Sequence, residues 1–91
     1  MRESKIEAYL VDRVKALGGL AWKFVSPGLI GPPDRFVALP GAQMFFVEVK
    51  QLGEKPDPWQ ERRHAELRAV GATVWVVDSI EAVDEVLARY A

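Results

Sequence analysis

Asp34 leaves a Pro/Gly-rich loop, and Glu48-Val49-Lys50 closes an apolar run, so two carboxylates and an amine fall where strands begin and end. Hard divalent cations take oxygen ligands, commonly one or two carboxylates with water and phosphate in the remaining positions. Asp34, Glu48 and the backbone carbonyl of Val49 could supply such a set. Lys50 would then orient a water or offset charge on a phosphodiester. The competing reading is a strand-end ion pair, because Glu-x-Lys occurs by accident in many sequences. Burying both charges without a partner would cost on the order of several kcal/mol per ion, which favours either the pair or a cation.

Strand alternation places Met44, Phe46, Glu48 and Lys50 on one face and Phe45, Val47 and Val49 on the other. Whether Asp34 joins Glu48 depends on the turn at Pro40-Gly41. A two-residue loop pairs Asp34 with Val47 and sends its carboxylate to the wrong face. A three-residue loop or a bulge pairs Asp34 with Glu48, Phe36 with Phe46 and Ala38 with Met44. The chemistry therefore requires such an irregularity, and we expect one.

Two helices offer further polar groups. Glu7 follows the line of Leu10, Val14 and Leu17, so it points along the core edge and is a candidate third carboxylate, with Glu3 as its substitute. Ser4-Lys5-Ile6-Glu7 also fits a capping box, in which Glu7 only satisfies a backbone donor. Gln60 has the same two readings, since Asp57-Pro58-Trp59-Gln60 is another capping-box pattern with proline at the first helical position. Gln60, His64 and Leu67 share one stripe. His64 has no second histidine and no nucleophile wired to it, which points to a core-edge hydrogen bond or a partner contact. Arg62, Arg63, Arg68, Lys5 and Lys23 are candidate phosphate contacts, although solvated faces carry such residues routinely.

The elements that position these groups follow from periodicity and breakers. Ile6, Leu10, Val14 and Leu17 mark a helix that Gly18-Gly19 stops, and 20–25 read as a strand. Residues 34–39 and 42–50 form a hairpin, and a helix over about 58–70 ends at Gly71. Residues 72–77 are apolar on both faces, which suits an interior strand paired in parallel. Ile80, Val83, Leu87 and Tyr90 stripe a closing helix. The fold class is α/β, with the order helix, three strands, helix, strand, helix around a mixed sheet covered on both faces.

The chain has 91 residues, 49% of them hydrophobic, with three tryptophans and no internal repeat, so one domain over 1–91 is expected. It has no cysteine, which excludes disulfide frameworks and thiolate zinc sites and suits a reducing cytosol. Neither export nor membrane insertion is expected, because the apolar runs are short and interrupted by charge. A net charge of -1 argues against binding nucleic acid through a broad basic face, although acidic metal ligands lower that count.

Gly31-Pro32-Pro33-Asp34 followed by Phe46-Val47-Glu48-Val49-Lys50 resembles the PD-(D/E)xK phosphodiesterase superfamily. More narrowly, Glu7-Ala8-Tyr9-Leu10-Val11, Leu17-Gly18-Gly19, Lys23-Phe24-Val25-Ser26-Pro27-Gly28, Pro33-Asp34-Arg35 and Pro58-Trp59-Gln60 look like a stand-alone VRR-NUC domain. The resemblance covers nearly the whole chain. It implies a restriction-endonuclease-like core in which Asp34 and Glu48 bind Mg²⁺, with Mn²⁺ able to substitute. Lys50 would assist the water, and Glu7 and Gln60 would complete the site.

The activity so implied is hydrolysis of DNA, on branched substrates such as Holliday junctions or flaps, by a homodimer related to junction resolvases. The setting would be a bacterial or phage-infected cytoplasm. The alternative is a non-catalytic nucleic-acid-binding module on the same fold, which an intact acidic site counts against. A third class, a protein-interaction domain with a strand-end ion pair, predicts no DNA affinity.

Overall fold

The computed structural model describes residues 1–90. Helix α1 (Glu3–Ala16) leads into strand β1 (Leu20–Lys23), the hairpin β2 (Arg35–Leu39) and β3 (Gln43–Val49), helix α2 (Pro58–Ala69), strand β4 (Val74–Val77) and helix α3 (Ile80–Ala88). The four strands lie in the order β1-β2-β3-β4. The first two pairings are antiparallel and β3 pairs with β4 in parallel, with α2 supplying the crossover that parallel pairing needs.

Alternation along β3 divides the molecule into two layers. Phe45, Val47 and Val49 face α1 and α3, where they pack with Ile6, Leu10, Val14, Val37, Val77 and Val83 into one buried cluster. Helix α2 crosses the opposite face over the β3–β4 end, where Glu48 and His64 are buried. Beyond the half-buried Phe36 and Phe46, which pack edge-on with each other, that second face is open: Leu20, Trp22 and Met44 are 51%, 61% and 58% exposed.

The hairpin has the irregularity that the acidic pair requires. Leu39 pairs with Gln43, leaving the three residues Pro40, Gly41 and Ala42 in the loop, and Phe36 and Ala38 lie opposite Phe46 and Met44. Carried one residue further, this register sets Asp34 opposite Glu48. Gly41 and Ala42 both adopt positive φ, 87° and 61°. Alanine pays for that conformation with roughly 1–2 kcal/mol of steric strain.

Two expectations need correction. Strand β4 is an edge strand, not an interior one. Its apolar character follows from α2 and α3 covering its two faces, and the Arg68 guanidinium takes the Val74 carbonyl at 2.6 Å, blunting the edge. Helix α1 starts at Glu3, with Arg2 as its N-cap and no side-chain cap bond, so the capping box at Ser4 and Glu7 does not form.

Candidate active site

Asp34 and Glu48 meet at one end of the sheet, and the backbone fixes both. Phe24 N–H donates to the Asp34 carbonyl at 2.9 Å, holding the loop exit against β1. The Val49 N–H donates to Asp34 Oδ2 at 2.7 Å. In a strand the N–H and C=O of one residue point the same way, so the Val49 carbonyl also faces the Asp34 side. Lys50 N–H is held by the Val77 carbonyl at 2.9 Å, which anchors the end of β3 from the other side.

Glu48 is only 1% exposed. Burial first, and then the hydrogen bond and negative charge of Asp34, raise its pKa from the ordinary 4.5 to about 9, against the opposing pull of Lys50. Two carboxylates this close need a proton or a cation between them. That requirement is the observation by which a hard divalent ion fits: Asp34, Glu48 and the Val49 carbonyl would hold it. Among the described residues no group of three or more His, Cys, Asp or Glu side chains gathers at one point, so water and substrate oxygens would fill the other positions.

Gln60 satisfies both of its readings at once. Its Oε1 accepts from Asp57 N–H at 3.0 Å and its own N–H donates to Asp57 Oδ1 at 2.9 Å, completing the capping box. Its Nε2 remains free to donate to Glu48 Oε2 at 3.3 Å. The two ends of one amide thus serve the helix and the site. Gly31 sets the loop against this helix start: with φ of 88°, a Cβ there would lie 2.8 Å from the Trp59 carbonyl carbon and oxygen.

His64 is 2% exposed, and its Nε2 lies 3.0 Å from Glu48 Oε1. Burial, followed by the charge of Arg68, lowers its pKa. With Glu48 protonated and His64 neutral, the contact is a hydrogen bond between neutral groups and not a salt bridge.

The structure does not bring Glu7 to the acidic pair. Arg35 follows Asp34 and alternates to the α1 side of the sheet, where its Nε donates to Glu7 Oε2 at 2.7 Å and its Nη1 to the Ala21 carbonyl at 3.1 Å. The pairing with Arg35, rather than a helix cap, accounts for Glu7. The first-helix carboxylate whose charge reaches Glu48 is Glu3, one turn earlier. Among the basic candidates, Arg62 and Arg63 pair with Glu66 and Arg63 also binds the Ile30 carbonyl, so both are engaged locally, as is Arg68. Lys5 and Lys23 are exposed.

No family model matches the chain. It is 56% identical over 79 residues to the protein named "Putative nuclease p44" of Acyrthosiphon pisum secondary endosymbiont phage 1, covering 87% of this chain and 85% of that one. It also superposes on a solved VRR_NUC domain with a TM-score of 0.92 and 42% identity, covering 98% and 97% of the two chains. With both relatives matched over nearly their full length, and with the fold and strand-end carboxylates already described, the chain belongs to the VRR-NUC nuclease family.

Proposed function

We propose that the protein is a Mg²⁺-dependent DNA endonuclease, with Mn²⁺ as an effective substitute. The observation that carries this reading is the buried Glu48 carboxyl set against Asp34, a pair that needs a positive charge between its members. When bound, the cation would supply Lewis-acid polarisation of a phosphoryl oxygen and a lowered pKa for a water. Asp34, Glu48 and the Val49 carbonyl would hold it, and Gln60 would orient Glu48. Lys50 would position the attacking water or offset charge developing on the phosphate. In-line attack would leave a 5′-phosphate and a 3′-hydroxyl. Glu7 pairs with Arg35, and Glu3, whose charge reaches Glu48, is the first-helix carboxylate we favour to complete the site.

Branched DNA is the substrate class we favour, cut by a homodimer. Leu20, Trp22 and Met44 lie on one sheet face and are exposed among the described residues, with Leu20 and Met44 toward the hairpin end and Trp22 opposite Phe36. A second copy seated there would leave both sites open, and two-fold symmetry would present two sites to paired strands.

The test is a panel of labelled junction, flap and linear duplex DNAs incubated with Mg²⁺ or Mn²⁺. The parent should cut branched forms fastest, and Lys50→Ala should lose roughly 10²-fold or more in rate, the usual effect of removing one group that stabilises transition-state charge. A parent that nicks none of these DNAs with either metal would overturn the reading.

A further inference from the structure

We infer that His64 is a positioning residue for Glu48, fixing the carboxylate that would receive the cation; this rests on the metal-site reading above. Gln60 and His64 are four residues apart on α2 and therefore present to the same side. Each takes a different oxygen of Glu48: Gln60 Nε2 reaches Oε2 at 3.3 Å and His64 Nε2 reaches Oε1 at 3.0 Å. Two points of contact from one helix set the carboxyl plane as well as its position, leaving the remaining lone pairs toward Asp34.

The helix that carries both donors is itself held. Its N-terminus is closed by the Asp57 capping box, Arg63 ties it to the Ile30 carbonyl in the loop before Asp34, and Arg68 ties it to the Val74 carbonyl of β4. Packing alone does not require an imidazole here. A buried polar ring is costly unless hydrogen-bonded, and an apolar residue would fill the same space. The gain from histidine is a ring nitrogen 3.0 Å from Oε1 that can donate to it once the carboxyl is ionised. Groups that orient a metal-binding side chain in this way typically change metal affinity by about 10–100-fold when removed.

The experiment measures Mn²⁺ binding to the full, DNA-free protein by calorimetry, with circular dichroism to establish folding. His64→Phe, which keeps a ring but no donor, should weaken Mn²⁺ binding about 10-fold or more. His64→Gln, whose amide can stand where Nε2 stands, should stay within about threefold of the parent, and His64→Asn, too short to reach, should resemble the Phe variant. The cleavage defect of His64→Phe should shrink as Mn²⁺ is raised. If His64→Phe does not fold, the Asn and Gln variants decide the matter by the same contrast. Parent-like Mn²⁺ affinity in the folded Phe or Asn variant would overturn the inference and leave the nuclease reading intact. A Gln variant as weak as the Asn variant would do the same. A parent that binds no Mn²⁺ would overturn the metal site itself, and the inference with it.

Discussion

Glu48 carries a proton in the metal-free fold, because burial and the adjacent Asp34 disfavour its ionised form and push its pKa from 4.5 to about 9. Between those values the folded state binds a proton that the unfolded chain releases. Its contribution to stability is therefore complete below 4.5 and declines as pH rises toward 9. His64 acts in the opposite sense: its pKa is lowered from 6.5, so stability is lost as pH falls below that value. Metal-free protein should accordingly lose stability in denaturant melts from about pH 6.5 to about pH 8.5, and Glu48→Gln should flatten that decline while abolishing cleavage. Added Mn²⁺ should reverse the decline in the parent, because the cation competes with the proton. A parent whose metal-free stability rises over this range would contradict the protonated pair. The meeting of Asp34 and Glu48 at one sheet end was legible in the sequence once the hairpin register was set, because alternation dictates which strand residues share a face. The Glu48–His64 contact was not, since it depends on how α2 is rotated over the sheet. The pairing of Glu7 with Arg35, on the opposite face from Asp34, was not legible either.

The β2–β3 hairpin converts sequence spacing into a site. Three loop residues, one of them Ala42 in a left-handed conformation, set Asp34 opposite Glu48. Ala42→Gly should raise the melting temperature, by relieving roughly 1–2 kcal/mol of strain against a smaller entropic loss, and keep activity. An unchanged or lowered melting temperature would show that Ala42 stores no strain there. At this scale the order of helices and strands and the parallel pairing of β4 could be read from periodicity and breakers, while the three-residue loop followed only from requiring Asp34 and Glu48 to share a face. The edge position of β4 could not, because apolarity on both faces reports coverage by helices and does not distinguish the middle of a sheet from its margin. The start of α1 was missed because no side chain caps it.

Across the whole molecule, charge and apolar surface divide the labour. The net charge of -1 argues against a broad basic face to hold DNA, so binding should depend on the cation site and on local groups such as the exposed Lys5 and Lys23. The uncovered face at Leu20, Trp22 and Met44 is the surface on which a second copy would dock. Trp22→Glu combined with Met44→Lys should convert a dimer to a monomer in sedimentation velocity; a parent already monomeric at micromolar concentration would contradict the dimer. The most direct test of the central claim, that Asp34 and Glu48 hold a catalytic cation, is the single-turnover cleavage rate of one junction DNA by parent and Asp34→Asn as Mg²⁺ is titrated. The account predicts cleavage by the parent that rises with Mg²⁺ and vanishes in EDTA, with Asp34→Asn slower by about 10²-fold or more at every concentration. Cleavage that persists in EDTA, or equal rates for the two proteins, would contradict it.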